Sequence, residues 1–79
     1  MSHSHALTFS THSDDDAIDM FANAMRDKMA LGRAKDRNGW RACPVDVLWQ
    51  MLREHVEKGD PVDVANFAMM IHLNAASGA

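Results

Sequence analysis

The chain has 79 residues, 47% of them hydrophobic, which leaves room for one small domain whose core is only marginally large enough to fold alone. Its formal net charge of −3 argues against nonspecific nucleic-acid binding as the main function, because that mode requires net neutralisation of phosphates. The single cysteine, Cys43, excludes an internal disulfide, and the N-terminal residues hold no signal or membrane segment, so we expect a cytoplasmic protein.

The first predicted helix begins at Ser13. Residues 1–12 are rich in Ser, Thr and His without helical periodicity, and they predict a flexible N-terminal tail. Ser13 and the three aspartates after it form a strong helix start, and the Asn38-Gly39 turn requires the helix to end before it, so we expect a helix over 14–35. Apolar residues at three- and four-residue steps predict one packed stripe, formed by Ile18, Phe21, Ala22, Met25 and Met29.

A sharp corner joins the next two predicted helices. Gly59 can adopt the left-handed conformation that ends a helix, Asp60 can cap the next helix, and Pro61 suits its first turn. The apolar pattern on either side predicts helices over 44–58 and 61–74, followed by a flexible tail over 75–79.

Together these patterns predict the fold class. Three apolar stripes without strand-period alternation indicate an all-α, compact three-helix domain over 13–74. The third helix is apolar around most of its circumference, which places it at the centre of the domain or at an oligomer interface. Because the chain is short, we expect a homodimer.

The charge is distributed unevenly. Residues 26–41 carry six basic and two acidic side chains and a net charge of +4, so the rest of the chain carries −7. A basic segment on an acidic body favours docking onto a partner protein with an acidic surface. The candidate partner-binding residues are Arg33, Lys35, Arg37, Trp40 and Arg41. Trp40 is either a lid on the core or an exposed contact.

Acidic side chains cluster at the corner between the second and third helices. Glu54, Glu57, Asp60 and Asp63 could converge on a magnesium ion if the helices brought them together. The spacing of Asp60 and Asp63 is also that of a helix cap and its third residue, and we favour this explanation, with no metal and no cofactor. Asn66 lies in an apolar helix, where a buried amide forms an interhelical hydrogen bond or contacts a ligand.

From Phe21 onward the chain resembles a short phage or prophage module. The shared pattern runs through Met25 and Met29, the turn Lys35-Asp36-Arg37-Asn38-Gly39-Trp40, and then Leu48, Leu52, His55 and residues 58–70, which read KGDPVDVANFAMM. Such modules occur alone or beside regions similar to MazG-type dATP/dGTP diphosphohydrolases. The resemblance implies a phage context, and in the MazG-type enzymes paired acidic motifs on two long helices bind magnesium around a triphosphate.

We therefore expect a small phage-type protein that works by binding a host protein, for instance as an inhibitor of a host defence system such as an anti-CRISPR. The sequence leaves enzymatic activity open but favours a binding protein. The alternative is an accessory or degenerate nucleotide pyrophosphohydrolase unit that uses the four acidic residues and magnesium. A weaker alternative is a nucleic-acid binder that uses the basic segment.

Overall fold

Three α-helices and one short 3-10 helix make up the fold. The computed structural model describes the backbone of residues 3–77 and the side chains of residues 13–77. Helix α1 spans His3–Ala34, α2 spans Val45–Lys58 and α3 spans Pro61–Ala76, and the 3-10 helix η1 spans Trp40–Ala42. The prediction of an all-α, three-helix fold is confirmed for these residues. None of the described helices is long and apolar enough to cross a membrane.

The corner between α2 and α3 has the predicted local chemistry. Gly59 ends α2 in the left-handed conformation, with φ +76°, and its N–H donates to the carbonyl oxygens of His55 and Val56 at 3.2 and 3.0 Å. Asp60 caps α3, because its Oδ1 accepts from the N–H groups of Val62 and Asp63 at 3.0 and 3.3 Å. A sharp turn therefore brings α2 and α3 together as a helical hairpin.

The start of α1 differs from the prediction. The helix begins at His3, so Ser13 lies inside it and is not its cap. No glycine or proline interrupts residues 3–13, so nothing in the local sequence prevents the helix from extending. The flexibility of residues 1–12 stays a prediction, and their side chains lie outside the described part. At the other end of the chain, α3 extends through Ala76, two residues beyond the predicted end, and residues 78–79 of the predicted tail lie outside the described part.

Helix α1 ends in a Schellman motif with an unusual residue. The N–H of Arg37 donates to the carbonyl oxygen of Gly32 at 2.8 Å, and that of Asp36 donates to Arg33 at 3.0 Å. These are the two hydrogen bonds that define the motif. Asp36 occupies its left-handed position with φ 60°, where glycine is the usual residue. Asp36 therefore introduces some backbone strain into the turn that precedes Arg37 in the basic segment.

The core forms where α3 packs against α2, α1 and η1. Leu48 of α2 is 1% exposed and packs with Met70 and Ile71 of α3, which are also buried. Partly buried side chains from the other elements complete this cluster, among them Met29 of α1 and Trp40 of η1. Helix α3 contacts α1, η1 and α2 and is therefore the central helix. A central position was one of the two predicted for it, the other being an oligomer interface.

The predicted apolar stripe of α1 is only partly packed. Met29 reaches the core, and Ala22 and Met25 are half-buried, but Ile18 is 65% and Phe21 is 40% exposed. The expectation that the whole stripe packs is wrong for these two residues. A rise of about 1.5 Å per residue makes the 32 residues of α1 about twice as long as the 16 of α3, so α3 cannot cover the full length.

The two left-handed positions predict opposite effects of substitution. Asp36→Gly should raise the free energy of unfolding by about 0.5–1 kcal/mol, because glycine relieves the backbone strain at this exposed turn. Gly59→Ala should lower it by about 1 kcal/mol, since alanine is strained at φ +76°. Urea unfolding of both variants measures the difference. Equal effects of the same sign would show that the conformation of these two residues does not control helix termination.

Candidate partner-binding surface

A cleft between α1 and α3 adjoins the predicted basic segment. We call it the α1–α3 cleft; its volume is about 230 Å³. Met29, Phe67 and Met70 are among its apolar lining residues, and Lys28 and Asp63 are among its charged ones. Lys35 and Arg37, two of the predicted partner-binding residues, lie on its lining together with His55. The cleft thus combines apolar side chains with charged ones, most of which are positive.

Lys28 links α1 to the acidic corner. Its Nζ lies 2.8 Å from Oδ2 of Asp60 and 3.6 Å from Oδ1 of Asp63. The hydrogen bond from Lys28 lowers the pKa of Asp60 from 3.8 to about 2, and the same bond raises the pKa of Lys28 above its ordinary value. Sequence reasoning counted Lys28 only as part of the basic segment. Its charge is in fact matched by the N-terminal carboxylates of α3.

The structure does not assemble the alternative magnesium site. Asp60 and Asp63 contact Lys28, whereas Glu54 and Glu57 are exposed on α2. Among the described side chains, no group of three or more His, Cys, Asp or Glu residues is arranged to hold a metal ion. Helix capping accounts for Asp60, as the favoured interpretation stated. Asp63 was expected to act as the third residue of the cap, but its carboxylate contacts Lys28 instead.

Asn66 contributes a buried hydrogen-bond acceptor that has no partner in the described part of the chain. The residue is 4% exposed and lies on the lining of the α1–α3 cleft. Its Nδ2 donates to the carbonyl oxygen of Met25 at 3.3 Å, which fixes the orientation of the amide, because a flipped amide would place two acceptors together. Oδ1 is left without a donor. One of the two predictions for Asn66, an interhelical hydrogen bond, is therefore confirmed. This bond uses Nδ2 of the side chain and leaves Oδ1 unpaired.

A second buried asparagine of α3 is better satisfied and holds η1 in place. Nδ2 of Asn74, which is 3% exposed, donates to the carbonyl oxygens of Trp40 and Cys43 at 2.9 and 3.1 Å. Trp40 is half-buried against the core, so the lid interpretation is the one that the structure supports. The guanidinium carbon of Arg41 lies 4.4 Å from the centre of the Trp40 ring, a cation–π contact.

Four of the five predicted partner-binding residues are exposed cations. We call Arg33, Lys35, Arg37 and Arg41 the basic surface. Among the described side chains, the salt bridges are those of Lys28, so none of the four has a carboxylate within 4.0 Å. These charges remain available to an external acidic group. Partner binding through this surface stays a prediction.

His55 is a further residue of the cleft that the sequence did not single out as functional. Its Nδ1 lies 2.9 Å from the carbonyl oxygen of Met51 and must carry the proton, since a carbonyl can only accept. Its ring centre lies 4.7 Å from that of Phe67. The contact to Met51 is within one turn of α2, so it orients the ring beside the cleft.

The fold and surface together define a class, an all-α domain of three helices with a basic cleft. Comparisons with family models, with curated proteins and with solved structures found no match for the chain. The resemblance to a phage module therefore stays a prediction.

The two buried asparagines predict contrasting stability effects. Asn74→Leu should lower the free energy of unfolding by about 1–3 kcal/mol, because the carbonyl oxygens of Trp40 and Cys43 lose the Asn74 donor, and that of Trp40 keeps only the N–H of Cys43. Asn66→Leu should be neutral or stabilising, since it removes a buried acceptor that has no partner. Chemical unfolding of the two matched variants tests this. A loss at Asn66 as large as that at Asn74 would show that Oδ1 is satisfied in solution.

The Lys28 contact predicts a dependence of stability on acid. Asp60 has a folded-state pKa below its ordinary value, so it stabilises the fold above about pH 4, and this contribution is lost as the pH falls towards about 2. Asp60→Asn keeps a capping oxygen but removes the charge. The melting temperature of this variant should therefore fall less than that of the wild type over the same pH range. Parallel curves would contradict the contact.

Proposed function

We propose that this chain acts by binding another protein, whose acidic segment docks on the basic surface beside the α1–α3 cleft. The observation that carries the proposal is the contrast between Lys28 and its basic neighbours. Lys28 is matched by two carboxylates of α3, whereas Arg33, Lys35, Arg37 and Arg41 are exposed and have no such partner among the described side chains. Exposed charges of one sign steer an oppositely charged partner and set its orientation.

The cleft supports a directed contact beyond charge attraction. Its lining includes the apolar side chains of Met29, Phe67 and Met70, and it also includes Asn66, whose buried Oδ1 has no partner among the described residues. A partner side chain that combines an apolar body with one donor, such as tyrosine or tryptophan, matches this lining. Acidic residues on either side of that aromatic would meet Lys35 and Arg37 at the same cleft. An acidic segment with one aromatic anchor is therefore the partner chemistry that we propose.

The geometry favours a protein over a single-stranded nucleic acid. Nonspecific strand binding depends on aromatic rings that are open for bases to stack on. The ring of Trp40 packs against the core and also carries the guanidinium of Arg41. In addition, the chain outside residues 26–41 carries a net charge of −7, which repels a phosphate backbone.

The phage-type resemblance gives the proposal its biological setting. A small protein made during infection meets host proteins in the host cytoplasm, and an inhibitor of a host defence system, such as an anti-CRISPR, fits a chain that binds by one polar surface. This setting rests on the resemblance alone. The docking surface rests on the exposed charges and the cleft.

A titration followed by nuclear magnetic resonance tests the proposal. The probes are a glutamate-rich peptide with one central tyrosine and a single-stranded DNA of the same charge, each added to labelled protein at physiological salt. We expect the peptide to shift the amide signals of residues 28–41 and of Asn66, and the DNA to cause much smaller shifts. Peptide shifts distributed over the whole surface, or shifts at 33–41 with DNA alone, would overturn it.

Matched charge reversals provide the control. Lys35→Glu with Arg37→Glu should abolish the peptide shifts, whereas Arg26→Glu with Lys58→Glu makes the same change in net charge away from the cleft and should leave most of the binding. All four side chains are exposed, so both variants should keep their helical circular dichroism. Equal losses in the two variants would show that net charge, and not this surface, controls binding.

A further inference from the structure

The side of the α2–α3 hairpin that faces away from the cleft is apolar and uncovered. Helix α2 contributes Val45, Trp49 and Val56 to it, and Trp49 is 45% and Val56 52% exposed. Helix α3 contributes mostly small side chains, which are Pro61, Val64, Ala65, Ala68 and Ala75, while the buried Ile71 and the exposed His72 also line the depression beside Trp49. We call these residues the hairpin face. Two shallow depressions run along it between the helices.

The fold does not cover this face from within the described chain. Helix α1 meets α3 through Met25 and Lys28, whose partners are Asn66, Asp60 and Asp63. The η1 segment meets α3 through Asn74. None of these four residues is a member of the hairpin face, although Asp60 also lines the depression beside Val64. The polar contacts of α3 and the hairpin face thus occupy different sides of the helix.

The charges beside the hairpin face are arranged to match their own copy. Asp46 and Arg53 lie seven residues apart on α2, two helical turns or about 10.5 Å, and Trp49 lies between them on the adjoining part of the helix surface. If two α2 helices cross antiparallel near Trp49, Asp46 of each copy meets Arg53 of the other. Both side chains are exposed and have no salt bridge among the described residues. A parallel arrangement would instead place like charges together.

From this self-complementary pattern we propose that the hairpin face is the interface of a two-fold symmetric homodimer, with antiparallel α2 helices and Trp49 near the axis. A two-fold interface uses the same surface on both subunits, so apolar residues at its centre and opposite charges placed on either side of the axis satisfy its requirements. The small side chains of α3 let the second hairpin approach closely. The monomer core, in which Leu48, Met70 and Ile71 are the buried apolar residues among those described, would be enlarged by this contact.

Sedimentation velocity over a wide concentration range tests the proposal on the full chain. The wild type should approach twice the monomer mass, and Trp49→Glu should lower the dimer association constant by about tenfold or more, because a central tryptophan typically dominates an interface. Ile18→Glu is the matched control, since Ile18 is an exposed apolar residue of α1 away from the hairpin face. It should leave the association constant unchanged. Circular dichroism verifies that both variants are folded.

The charge arrangement is tested by a swap. Asp46→Arg alone and Arg53→Glu alone should each weaken association, because each places like charges opposite one another, whereas the double variant should restore it. A wild type that is monomeric at every concentration would overturn the proposal. So would a dimer that survives Trp49→Glu but is lost in Ile18→Glu, which would assign the interface to α1. A double variant no better than the single ones would rule out the antiparallel arrangement.

Discussion

The constraint on which the fold depends is that one helix, α3, is the common neighbour of all the others. Helix α2, helix α1 and the η1 segment all pack against it. A helix shared by several partners must be apolar over much of its circumference, and α3 is. Its few polar residues then decide which neighbour lies where: Asp60 and Asp63 meet Lys28 of α1, and Asn74 meets the backbone of η1. Apolar burial supplies the stabilising free energy, and these polar contacts select the arrangement.

This arrangement divides the molecule into two sides with different chemistry. The side with α1 holds the cleft, the basic surface and the unpartnered acceptor of Asn66, a group that costs stability and is therefore a candidate for function. The opposite side holds the hairpin face, which is apolar and carries an exposed tryptophan. A homodimer formed through the hairpin face would leave both basic clefts accessible. The two proposals are thus compatible, and each can fail without the other.

Local chemistry explains which parts of the fold could be predicted from the sequence. The glycine, aspartate and proline at 59–61 act within a few residues of one another, so the hairpin corner and its cap were predictable. The exposure of Ile18 and Phe21 was not, because helical periodicity shows which face is apolar but not how far a neighbouring helix extends. The contact of Lys28 with Asp60 spans 32 positions in sequence and leaves no local signal. For the same reason the cleft itself, which joins Lys35 and Arg37 to Asn66, required the structure.

Native-state amide hydrogen exchange tests the central position of α3 most directly. If α3 is the helix on which the others pack, its amides from Asn66 to Asn74 should exchange only through global unfolding and should be the slowest in the chain. The amides of residues 14–20, in the part of α1 whose described side chains are all exposed, should exchange much faster by local opening. The account would be contradicted if α3 exchanged as fast as this part of α1, or if α1 and α2 stayed protected while α3 opened.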